Sequence, residues 1–157
     1  MRNNNLLVLL AAGTLLSITT MARSETIYYG SRAGMETTVI KKVGLGTANA
    51  KIFTKHTKKN AKAFCVEYEQ DNSMACVNQT MNDVQIKEVI TANCLDKTWT
   101  DFGISSYKII AKNNSSEFMA DYIVLNLQSS EILDGSMASG YPTAINLFMT
   151  MCPGVID

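Results

Sequence analysis

The residues able to do chemistry in this chain are few, and their spacing limits what that chemistry could be. His56 is the only histidine among 157 residues, so zinc sites built on two or three histidines are excluded. Cys65, Cys76, Cys94 and Cys152 could join His56 in a three-cysteine, one-histidine set, but no C-x₂-C pair is present. A Cys–His nucleophile pair needs a free thiolate. Four cysteines can all pair in an oxidising compartment, leaving none. No metal and no cofactor is implied. His56 reads as a polar residue where a strand meets a helix.

Serine chemistry is the next candidate. Ser136 and Ser139 lie in the glycine-flanked stretch Asp134-Gly135-Ser136-Met137-Ala138-Ser139-Gly140. The nucleophile elbow of serine hydrolases is G-x-S-x-G between strand and helix, and this stretch departs from it. It reads as a tight connection whose small residues allow close backbone approach. If it is functional, Asp134, Ser136, Ser139 and Tyr141 form a ligand loop at a helix start, where N–H groups are exposed. Twelve acids in residues 64–157 leave a glycosidase-like pair open on spacing. Asp101 and Asp134, beside glycine-containing bends, are the two to inspect.

Charge is divided along the chain. Residues 24–63 carry eight basic side chains against two acids, and residues 64–157 carry four against twelve, while the whole is neutral. A neutral total argues against a nucleic-acid binder, whose domain would be basic throughout. Aromatic residues interleaved with the basic ones are also missing, because Phe53 and Phe64 read as inward-facing. The basic front could still meet an anionic surface. Lys55, Lys58, Lys59 and Lys62 cluster at its centre, and an ordinary solvated helix face is the simpler explanation for them.

Residues 1–24 read as an export signal. Arg2 supplies the positive start, Leu6 to Ile18 the apolar core, and cleavage falls after residue 22 or 24. That core, about 13 residues, is short of the roughly 20 a spanning helix needs. The protein is therefore expected to be periplasmic or secreted, and not membrane-spanning after cleavage. An even cysteine count in such a chain argues for two disulfides, with three connectivities open. Cys65–Cys76 and Cys94–Cys152 are favoured; the first joins two neighbouring helical segments.

The elements that must position these residues follow from periodicity. Strands are expected at Thr26–Gly30, Met35–Val43, Ala48–Lys55, Val84–Cys94, Thr98–Phe102, Tyr107–Lys112 and Ala120–Leu127, the last the most apolar and expected to be central. Gly44-Leu45-Gly46-Thr47 is a hairpin loop, since a phosphate cradle would open directly into a helix. Thr57 caps a helix to about Gln70 with Ala61, Phe64, Cys65 and Tyr68 inward. Ser73 caps a shorter one with Cys76, Val77 and Met81 inward. Ile132-Leu133 leads into the serine loop. Tyr141–Cys152 is a strongly apolar helix, with Pro142 in its first turn and Pro153-Gly154 as its stop. Ala144, Ile145, Phe148, Met149 and Cys152 recur on it at helical spacing.

Several segments together carry a resemblance. They are Tyr29-Gly30-Ser31-Arg32-Ala33-Gly34-Met35, His56-Thr57 with Phe64-Cys65-x-x-Tyr68, Ala92-Asn93-Cys94, Leu133-Asp134-Gly135-Ser136-x-Ala138-Ser139-Gly140-Tyr141, and Cys152-Pro153. The chain thereby resembles small exported proteins of rhizobia-like alphaproteobacteria, a group without an assigned activity. The resemblance covers nearly all of the sequence after the export segment. It implies a Gram-negative periplasmic or secreted address and brings no catalytic residue with it.

The expected architecture is a single disulfide-stapled α+β domain over residues 25–157. It is a mostly antiparallel sheet of about six to seven strands, with a two-helix insert and a C-terminal helix packed on the sheet. The expected function is non-catalytic binding to a protein or envelope component. The alternative is a small periplasmic hydrolase acting on envelope polymers.

Overall fold

Alternation builds the sheet strand by strand. In β3 (Ala50–Lys55) Ala50, Ile52 and Thr54 are buried while Lys51 and Lys55 face water. In β4 (Val89–Asn93) Ile90 and Ala92 take the same inner face, as period-two geometry requires. The computed structural model describes residues 24–114 and 120–156. Apart from Ser24, the predicted export segment lies outside the described residues. The remaining strands are β1 (Thr26–Tyr28), β2 (Glu36–Val43), β5 (Thr98–Thr100), β6 (Ser106–Lys112), β7 (Tyr122–Asn126) and β8 (Ile132–Leu133). The helices are α1 (Lys58–Glu67) and α2 (Met74–Asp83), between β3 and β4, and α3 (Tyr141–Met151) after β8.

All eight strands form one antiparallel sheet in chain order, β1 to β8. The eighth strand exceeds the expected count because Ile132 and Leu133 pair with Leu125 and Val124. Register slips once between β2 and β3, at Ile40, and once between β6 and β7, at Ile110. Each slip is a bulge whose extra residue is an exposed isoleucine.

The inner face of the sheet and α3 make the main core. Trp99 stands between Phe148, 4.9 Å away centroid to centroid, and Tyr107, at 5.5 Å. Ile52, Ile90, Val124, Phe148 and Met151 are fully enclosed around this stack. Cys94 of the β4–β5 connection is bonded to Cys152 at the end of α3. A second, small cluster of Ala61, Cys65 and Val77 lies between α1 and α2 and is closed by Cys65–Cys76. Both favoured pairings are present. Thr57 caps α1 through a reciprocal bond with Asn60, and Ser73 caps α2 by accepting from the Cys76 N–H.

Several expectations are corrected. β7 is next to the sheet edge rather than central, because the order follows the chain; its apolarity reflects Ile123 and Leu125 half-buried on the outer face. β4 begins at Val89, since residues 84–88 form the connection leaving α2. On α1, Phe64 is half-buried and Tyr68 exposed; they stack on each other at 5.3 Å instead of entering a core. Phe53 is half-buried on the sheet's outer face. On α3, Met149 is exposed, and Leu147 and Met151 are buried instead. Among the described residues no helix is long and apolar enough to cross a membrane.

Candidate functional site

A groove opens between the first strand and the last helix. β1 is an edge strand, and the Val39 N–H donates to the Glu25 carbonyl while the Tyr29 N–H donates to the Met35 carbonyl. In an antiparallel ladder these bonds alternate along the strand. The N–H and C=O groups of Thr26 and Tyr28 therefore point away from β2, to the open edge. Beside that edge runs a groove of about 560 Å³, walled by Thr26–Tyr28, by the turn after β1, by Met137 of the serine loop and by α3.

α3 presents Thr143, Asn146 and Thr150 to the groove, at spacings of three and four that place them on one face. The Thr150 hydroxyl donates to the Asn146 carbonyl at 2.7 Å. Leu147 supplies the apolar floor. At the end of β1 stands Arg32, its guanidinium 4.9 Å above the centre of the Tyr68 ring, a cation–π contact. Among the described residues the only ion pair is Lys42–Glu25, so Arg32 has no carboxylate against it.

The turn bearing Arg32 is held by Gly34. Its φ is +72°, and a Cβ there would meet the Phe64 backbone at 2.5 Å. Only glycine lets the turn lie this close to α1.

A smaller recess of about 200 Å³ adjoins the groove, sharing Gly30, Ser31, Thr143 and Leu147 with it. Its carboxylate and the Tyr107 hydroxyl are committed to each other and to backbone. The Asp101 carboxylate accepts from the N–H groups of Gly103 and Ser105 and from the Tyr107 hydroxyl, at 2.8, 3.1 and 3.1 Å. Burial raises the Tyr107 phenol, and the neighbouring Asp101 pushes the same way. Tyr29 is likewise raised by burial. Its ring meets His56 edge-on at 5.8 Å. Burial lowers the His56 imidazole, and its Nε2 is enclosed without a hydrogen-bond partner among the described residues.

The structure separates the other residues singled out by sequence. The Asp134 carboxylate accepts from the Ser136 N–H at 2.8 Å and is held below the usual carboxylate range, chiefly by the Ser136 hydroxyl. Ser139 donates through its hydroxyl to the Ser136 carbonyl at 2.8 Å and accepts from the Tyr141 N–H at 3.3 Å. The buried Tyr141 phenol, raised by burial, accepts from the Tyr122 N–H. The bonds of this loop thus go to groups close at hand, and of its residues Met137, rather than Ser136 or Ser139, lines the groove. All four cysteines are in disulfides. Among the described residues no group of three or more His, Cys, Asp or Glu could hold a metal ion.

Lys55, Lys58, Lys59 and Lys62 are all exposed, the last three on the outward side of α1. They are grouped as the spacing predicts, on a face separate from the groove lining. The groove was missed in the sequence reading, although two signals for it were present: three polar residues at helical spacing in an otherwise apolar helix, and an arginine in a glycine-flanked turn. Comparison with protein-family models, with curated proteins and with solved structures finds no match for this chain.

Proposed function

We propose that this is a non-catalytic binding protein of the bacterial cell envelope, periplasmic or secreted, like the small exported alphaproteobacterial proteins it resembles. The observation that carries the reading is the groove: around one opening stand a polar helix face and, among the described residues, a strand edge with no backbone partner on that side and an arginine with no acidic partner. Two disulfides in a chain of this size support an oxidising compartment. The hydrolase alternative would need a nucleophile or a proton-transfer pair at the groove. Asp101 and the hydroxyls of Ser136 and Ser139 hold bonds of their own, and the thiols are oxidised.

Photo-crosslinking in intact cells tests this reading. A benzophenone side chain placed at Met137, on the groove mouth, should give a discrete adduct. The same group at Leu95, exposed in the β4–β5 hairpin and outside the groove lining, should not. Equal labelling from both positions would dismiss the groove as a binding surface.

A second observation favours an additional contact. The lysine face of α1 has no acid paired with it among the described residues. It would support weak, salt-sensitive attachment to an anionic envelope surface.

A further inference from the structure

Resting on the binding reading, we infer that the groove takes an extended polypeptide segment of a partner protein as a ninth strand. The segment adds to the free edge of β1 and sets an Asp or Glu side chain against Arg32. Three features on different elements converge on this occupant.

The first is the strand edge itself. Thr26 and Tyr28 each turn one N–H and one C=O to the opening, and no described backbone group bonds them there. An added strand lying about 4.8 Å away would complete those bonds.

The second feature is across the gap. A strand added to β1 has its own outer backbone groups to satisfy. Thr143, Asn146 and Thr150 of α3 line that side. The Asn146 amide offers both donor and acceptor, and it is exposed without a side-chain partner among the described residues. A lipid chain would leave these groups unused, whereas a peptide backbone matches them.

The third is charge. Arg32 lies over Tyr68 and meets no acid among the described residues. A guanidinium held in this way is suited to a carboxylate, which it can grip with two parallel N–H bonds. Side chains of an extended segment alternate, so every second residue faces the apolar floor at Leu147 and the adaptable Met137.

The probe is a phage-displayed library of random heptapeptides, selected on the mature, oxidised protein. Selected sequences should alternate apolar with polar residues and share an Asp or Glu at one position. Arg32→Gln should weaken a selected synthetic peptide about tenfold, and peptides with that acid replaced by its amide should lose affinity equally. Tyr28→Pro removes one outward N–H from the edge without touching the ladder to β2. It should weaken binding about tenfold beyond Tyr28→Ala, which keeps that N–H. Thermal melts establish that each variant folds; if Tyr28→Pro does not, backbone N-methylation along the selected peptide replaces it, and alternate positions should abolish binding.

Unchanged affinity in Arg32→Gln and no dependence on backbone N–H groups would overturn the inference. So would failure of the library to yield any binder that competes for the groove. If phosphatidylglycerol vesicles were then found to protect Met137 from labelling, the occupant would be lipid; the binding reading would stand and the polypeptide inference would fall.

Discussion

The described residues hold two hydrophobic clusters, each closed by its own disulfide, and they differ in what the disulfide adds. The main cluster joins twenty buried residues from the sheet and α3, Cys94 and Cys152 among them. The cluster between α1 and α2 has three, Ala61, Cys65 and Val77. Sequence separation runs the other way from need, 58 residues for Cys94–Cys152 and 11 for Cys65–Cys76. The longer loop gives the larger entropic effect, about 4 kcal/mol against about 3. Yet the main core already has packing to hold it together. A three-residue core buries little, so the short staple matters most for whether the helix pair exists at all.

The comparison is broken most severely from the main core. Phe148→Ala removes the ring packed on Trp99 and should destabilise by about 3–5 kcal/mol; Ile145→Asp, burying an unpaired acid, should cost at least as much. Urea denaturation measures both. Melting close to the parent would mean that α3 is peripheral to the core.

Next in size is the long disulfide. Cys94→Ala with Cys152→Ala should lower global stability by about 2–5 kcal/mol while the far-ultraviolet spectrum stays native. The short disulfide sharpens the contrast. Cys65→Ala with Cys76→Ala should leave the sheet amides protected and release those of α1 and α2 in hydrogen exchange. Uniform loss of protection over the whole chain would show that the two clusters unfold as one.

A smaller effect concerns His56. Burial lowers its pKa from the ordinary value of 6.5, so the unfolded chain takes up the proton first as pH falls. The contribution of neutral His56 is complete above that value and is lost as pH drops from about 6.5 toward the lower folded pKa. His56→Gln should flatten stability against pH across this window. An identical pH profile in the variant would count against it.

The smallest change in stability is expected on the lysine face. Replacing Lys58, Lys59 and Lys62 with Gln should leave melting within a degree or two of the parent, since like charges on a solvated surface add little. The same variant should lose sedimentation with anionic vesicles at low salt, while neutral vesicles bind neither form. Equal binding by both forms would reduce the face to ordinary wet surface.

Much of the fold could be read before the structure. Period-two alternation located seven strands, capping residues located α1 and α2, and their adjacency suggested the short disulfide. What failed has a common physical cause. Apolarity was read as centrality for β7, but strand position in a meander is set by connection length rather than by burial. Met149 was placed inward and is exposed because α3 is apolar around most of its circumference, and only the packed sheet chooses its inner side. The two-residue β8 is too short to show any period. The groove depended on contacts distant in sequence: β1 and α3 stand at opposite ends of the described chain, and no local pattern tells that they meet.

The chain-order meander has a consequence for how this molecule is made. Each new strand finds its partner already in place, so the sheet can grow as the polypeptide emerges, by short-range steps that fold fast. Its cover arrives last. Until α3 has been synthesised, the inner face around Trp99, Ile52 and Ile90 is bare, and Cys94 waits as an unmatched thiol beside a completed or competing Cys65–Cys76 pair. A chain stopped before Tyr141 would hold every described strand and no lid for them, a species prone to aggregate and to scramble its disulfides. Docking of α3 thus acts as a closing step in assembly, turning an adhesive intermediate into a covered one.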